Sequence, residues 1–244
     1  MSARADRPVT LTSLRREVRD LASPAVAKTN QWFFKTGPGQ YGEGDHFLGL
    51  RVPTLRVLAR KYRALPYSDA LKLLKSDWHE ERLLALILLV NVYGESDERD
   101  RERIHRAYLA NVRFINNWDL VDSSAPQIVG AHLTAANAGL LVKLAKSKDL
   151  WERRIAIVST LHFIKHGEFR PTLRITRMLL ADKQDLIHKA VGWMLREVGK
   201  RDRAVLDSFL ADSYRIMPRT ALRYAIERHP EKVRKAYLAG TIEG

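Results

Sequence analysis

Within the stretch RFINNWDLVDSSAPQIVG, Arg113 to Gly130, Trp118 and Asp122 stand four residues apart. On a helix that spacing is about 400°, so one face presents an indole beside a carboxylate. A core accepts the first and rejects the second, a solvated surface does the reverse, and a face lining a cleft takes both. Two other spacings lead nowhere. GPGQYGEG carries G-x-G-x-x-G at Gly37, Gly39 and Gly42, but that fingerprint holds a pyrophosphate only where a strand enters it and a helix leaves it. Here a helical pattern enters and DHFLGLRVP follows, so the glycines predict a mobile loop. HFIKH sets His162 and His166 at i and i+4, a metal-capable spacing with no acid in the intervening turn. With no Cys and no G-x-S-x-G, thiolate metal sites, disulfides and Ser or Cys triads lose their support. The expectation is no cofactor and no metal.

The charge balance says what such a cleft would meet. Lys plus Arg is 42 and Asp plus Glu is 28, so 42 − 28 leaves +14 on 244 residues. That excess favours a polyanionic partner, nucleic acid before an anionic membrane. A basic surface that serves solubility alone is the plainer alternative. At 45% hydrophobic, the chain can bury a sizeable core. No apolar run approaches 18 residues and MSARADRPVT has no signal-peptide core, so the expectation is a soluble, cytoplasmic protein with no membrane partner.

The elements that must position the pair are helices. Apolar residues recur at three- and four-residue spacing over roughly 10–22, 24–35, 53–64, 68–75, 78–92, 97–111, 117–131, 134–146, 150–164, 170–181, 184–198, 202–213, 218–228 and 231–238. Ser23-Pro24, Pro53, Ser68 and Asp97 mark starts, and Gly94, Gly167 and Gly240 mark stops. HEERLLALILL from His79 aligns with WERRIAIVSTL from Trp151, placing Arg82 over Arg154, 154 − 82 = 72 residues on, or twice 36. Trp118 falls midway, and Lys189 lies 35 beyond Arg154. A two-helix period near 36 predicts an all-α, HEAT-like α-solenoid of antiparallel pairs, one domain over 1–244, with a concave basic cleft. In that register Arg82, Trp118, Arg154 and Lys189 look onto one wall. Chance alignment of helix pairs of similar length is the alternative.

NNWDLVDSSA, LWERRIAIVS and HKAVGWMLREVGK together resemble the AlkD-type DNA alkylation-repair glycosylases, a likeness running from about residue 24 to residue 230. W-D-x-V-D followed about 30 residues later by W-E-R-R is the specific part. The resemblance implies a HEAT-like fold that cups duplex DNA and excises cationic N3- or N7-alkylated purines, without drawing the base into a deep pocket. It places the catalytic carboxylate on Asp122, the cleft indoles on Trp118 and Trp193, and the cleft guanidinium on Arg154. Arg82, Arg154, Lys189 and Phe33 are the expected DNA contacts. The family's early-helix Tyr has no match in NQWFFKTG, where Phe33 or Trp32 takes the place.

That implied chemistry fits the opening pair. An alkylated purine leaves neutral without protonation, so the barrier lies in an oxocarbenium-like sugar that a carboxylate stabilises. The readings set against it are core roles for Trp118 and Trp193, an interhelix hydrogen bond for Asp122, an ion pair for Arg154, and Asp119 as the structural acid of the stretch. Pro126 bears on the pair too: in a continuous helix it would free the Asp122 carbonyl, and in a helix restarting there it would not. The expected partner is double-stranded DNA with alkylated bases, bound by a monomer. A catalytically silent nucleic-acid binder or a protein scaffold is the alternative class.

Overall fold

A computed structural model describes residues 9–242; most of the N-terminal stretch read for a signal peptide lies outside them. Among the described residues there is no strand, only one isolated bridge between His46 and Trp78, and no helix is long and apolar enough to cross a membrane. The all-α expectation holds. Two compact units divide at Ser124/Ala125.

The first unit contains α1 (Leu11–Asp20), α2 (Pro24–Phe33), α3 (Val52–Lys61), α4 (Tyr67–Leu74), α5 (His79–Glu95), α6 (Glu98–Ala110) and α7 (Trp118–Asp122). Its centre is α5, packed on α3, α4, α6 and α7 and buried around most of its circumference, as a helix apolar on every side must be. Thr10 forms a capping box on α1, and Ser23 caps α2 with Pro24 in its first turn. Gly49 explains why the segment before α3 lies so close to α2. Its φ is +84°, and a Cβ there would stand 2.1 Å from the Ser23 carbonyl oxygen, so only glycine fits.

The second unit contains α8 (Ala125–Ile128), α9 (Gly139–Ala145), α10 (Leu150–Ser159), α11 (Leu161–Lys165), α12 (Arg170–Leu179), α13 (Asp185–Gly199), α14 (Arg203–Ser213), α15 (Arg219–Ala225) and α16 (Glu231–Ala239). Helices here pack mainly on near neighbours in the chain: α10 on α9, α12 and α13, then α13 on α14 and α15. That nearest-neighbour pattern is the packing of an α-solenoid. At Gly192 a Cβ would meet the Ala221 carbonyl oxygen at 2.4 Å, so the missing side chain sets how closely α15 approaches α13.

Two long segments expected as single helices are broken. The 117–131 segment ends at Asp122, where Ser123 and Ser124 return their hydroxyls to the Leu120 carbonyl at 3.3 and 2.6 Å, and restarts as α8 with Pro126 in its first turn. Pro126 therefore bends no continuous helix and bears no witness to Asp122. The 150–164 segment breaks at Thr160, whose hydroxyl donates to the Ile157 carbonyl at 2.6 Å. In both places a short polar side chain competes for helical carbonyls. The 134–146 segment begins only at Gly139.

Candidate active site

Trp118 and Asp122 are the first and last residues of α7, both half-buried, and so share one face a turn apart. Asn117, fully buried, opens the helix: its side-chain oxygen accepts from the Trp118 N–H at 2.8 Å and its amide donates to Asp45 at 3.3 Å. At the other end, buried Tyr108 shares a hydrogen bond of 3.0 Å with Ser124.

The Trp118 ring rests in an aromatic cluster. Phe34 stacks on it with centroids 5.3 Å apart, Phe33 meets it edge-on at 5.9 Å, and Phe34 continues onto Phe47 at 5.1 Å. Phe33 is 52% exposed and Trp32 is 72% exposed, with the Lys35 ammonium 4.8 Å from the Trp32 ring centre. The end of α2 thus offers aromatic faces and positive charge beside α7.

Beneath this cluster lies a buried charge network that helical periodicity did not reveal. His79 Nδ1 bonds Asp45 at 3.0 Å and Nε2 bonds Asp119 at 2.8 Å, while Phe34 and Phe47 cover its ring at 4.9 and 4.5 Å. Arg82 donates to the second Asp45 oxygen and, at 3.0 Å, to the Ser76 carbonyl. Burial alone would lower the His79 pKa, but Asp119 and then Asp45 outweigh it and hold it at about 9. Burial would raise Asp45, yet His79 and Arg82 keep it below the usual carboxylate value. Glu80 accepts the backbone N–H groups of Leu48, Gly49 and Leu50 at 2.9, 2.8 and 3.2 Å. Glu81 takes Arg15 and Arg19 at 3.2 and 2.8 Å. The signal for all this was HEER itself, four charged or titratable residues opening a helix with no polar face to put them on.

Two of the expected DNA contacts, Arg82 and Arg154, are buried. Arg82 is 4% exposed, and its guanidinium is committed to Asp45 and the Ser76 carbonyl, so it presents nothing to a phosphate. Arg154 is 5% exposed and donates to the Leu186 carbonyl, at the start of α13, at 2.6 Å. Lys189, half-buried, pairs with Asp185 at 2.8 Å. Trp193 is half-buried on α13. The glycine loop carries hydrogen bonds within itself: Gly39 N–H donates to Glu43 at 2.8 Å, Gly42 N–H to the Lys35 carbonyl at 3.1 Å, and Gly37 N–H to Gln40 at 3.0 Å. It follows α2 and reaches no helix before α3, so it lacks the strand-turn-helix frame of a dinucleotide site. His162 and His166 have rings 4.4 Å apart, with His166 Nδ1 turned to the His162 carbonyl at 2.8 Å.

A family model described as DNA alkylation repair enzyme matches residues 14–229. The chain belongs to the DNA alkylation repair enzyme family. Membership brings DNA alkylation repair as its function and DNA as its partner. A solved structure described as a predicted DNA alkylation repair enzyme from Enterococcus faecalis is similar in fold, with a TM-score of 0.65 and 15% identity over 86% of this chain and 97% of that one. No curated protein matches the sequence.

Proposed function

We propose that this member of the family is a DNA glycosylase that hydrolyses the N-glycosidic bond of N3- and N7-alkylated purines in duplex DNA. The observation that carries the reading is the Asp122 carboxylate one turn from the Trp118 indole, on a short helix fixed at both ends. Trp118 turns the negative face of its ring to a cationic base, an interaction worth about 0.5–2 kcal/mol. Asp122 stabilises the positive sugar as the bond breaks and orients or deprotonates the attacking water. At about 4 Å and an effective dielectric near 20, one charge pair is worth roughly 4 kcal/mol, about a thousandfold in rate if realised only in the transition state. The base departs neutral, so no acid is needed. Phe33 and Trp32 in the first unit, and Trp193 and Lys189 in the second, are each DNA contacts in this reading, and the protein acts as a monomer.

A second reading is a silent nucleic-acid binder. Arg170, Arg174 and Arg177 favour it: they line one exposed side of α12 at i, i+4 and i+7 with no carboxylate partner among the described residues, a stripe that binds phosphates whether or not any base is excised.

The test is incubation with duplex carrying 7-methylguanine or 3-methyladenine, followed by chromatography of released bases. The wild type releases them, and Asp122→Asn releases them about a thousandfold more slowly with duplex affinity kept. If the two proteins excise equally, Asp122 is not the catalytic carboxylate. If neither excises and both bind, the silent reading stands.

A further inference from the structure

We propose that His79 is a positioning residue for Trp118: its imidazolium, clamped between Asp45 and Asp119 and covered by Phe34 and Phe47, sets the plane of the indole that receives the base. The inference rests on the glycosylase reading for its consequence in catalysis, and on geometry alone for its consequence in structure.

The geometry fixes the charge state first. Both ring nitrogens of His79 stand at hydrogen-bond distance from carboxylate oxygens, Nδ1 at 3.0 Å and Nε2 at 2.8 Å. A neutral imidazole has one N–H and would turn a lone pair on one of them, whereas the imidazolium donates to both. Within such a clamp the ring can neither spin nor tilt without losing a charged hydrogen bond.

What the clamp holds is the frame around Trp118. Asp119 follows it in the chain and bonds Nε2; Asn117 precedes it and bonds Asp45, the Nδ1 partner. The backbone of Trp118 is thus bracketed by two residues tied to one imidazolium. Its ring shares that reference, since Phe34 lies against the indole at 5.3 Å and against the imidazole at 4.9 Å. The charged groups bonded to His79 are Asp45 from the preceding loop and Asp119 from α7; on its own helix Arg82 bonds Asp45 and Glu80 bonds backbone N–H groups, and Phe34, just after α2, contributes only a phenyl ring. Loss of the imidazolium proton therefore acts on Asp45 and Asp119. Asp119, whose side chain keeps 13% of its exposure, is the one that can turn to water and release the first turn of α7.

The experiment reads Trp118 without needing any excision. The protein is labelled with 5-fluorotryptophan, the Trp118 signal is assigned with Trp118→Phe, and fluorine spectra are taken from about pH 6 to 10. The Trp118 signal of the wild type moves with a midpoint near 9. In His79→Gln it is displaced and ceases to titrate, and in Asp119→Asn, which keeps size and loses charge, the midpoint falls. Alongside, single-turnover excision of 7-methylguanine by His79→Gln at saturating enzyme drops about ten- to a hundredfold with duplex Kd unchanged. A Trp118 signal that does not titrate in the wild type overturns the proposal. So does a general shift of every tryptophan signal in both variants, which would make His79 a support of the fold at large. If the Trp118 signal behaves as expected and the wild type excises nothing, the positioning holds and the glycosylase reading alone fails.

Discussion

At the start of α5, Ser76 Oγ accepts the Trp78 N–H at 3.1 Å and the Ser76 carbonyl accepts from Arg82 at 3.0 Å. At the start of α10, Ser147 Oγ accepts the Asp149 N–H at 3.0 Å and its carbonyl accepts from Arg153 at 3.1 Å. Asp182 repeats the pattern before α13, with Gln184 at 2.8 Å and His188 on its carbonyl. In each case the fourth residue of the helix reaches back six residues to hold the turn that launches it. This turn is the repeat's own scaffold, and what lies around it differs. Around Arg82 are His79, Glu80 and Glu81, all buried and all bonded to the first unit. Around Arg153 are Leu150, Trp151 and the one acid Glu152, and its charge goes to Asp182 at 2.6 Å, in the turn before the next scaffold helix. The Arg82 copy of the device builds a site; the Arg153 copy links repeats.

That contrast can be broken by experiment, beginning with the most damaging change. Arg82→Met leaves Asp45 short of a buried cation and should destabilise by about 3–5 kcal/mol, read by chemical denaturation. Next comes pH. The His79 pKa is raised from 6.5 to about 9, so its contribution is complete below 6.5 and is lost as pH rises through 9, on the order of 3 kcal/mol. The denaturation midpoint should fall across that window in the wild type and not in His79→Gln. Arg153→Met removes hydrogen bonds from a partly exposed side chain and should cost about 1–2 kcal/mol. A loss equal to that of Arg82→Met would mean the two copies are energetically alike. Smallest of all, Ser76→Ala and Ser147→Ala should each cost about 0.5–1.5 kcal/mol and by similar amounts, since the turn is common to both.

The same device explains what was legible. Helix positions follow from apolar spacing, a local signal, and they were readable nearly throughout. Matching Arg82 to Arg154 gave 72, whereas the turn contact recurs at Arg82, Arg153 and His188, separations of 153 − 82 = 71 and 188 − 153 = 35. In ERRI two adjacent arginines compete, and sequence alone does not say which one turns back to the loop. The opening pair was legible because four residues on a helix share a face. Its supports were not, because Phe34, Asp45, Phe47 and His79 meet through tertiary packing. The burial of Arg82 and Arg154 went unread for a related reason, since charge usually marks a surface.

The bonds that frame Trp118 also have a place in time. Asn117 to Asp45 spans 72 residues and Asp119 to His79 spans 40, whereas the helices around them close contacts a few residues apart. Long chain closures form late and are lost early when a domain is loosened. In a denaturant series, then, base release and the Trp118 signal should disappear at lower urea than the helical circular dichroism, leaving a repeat array still folded around a site already dismantled.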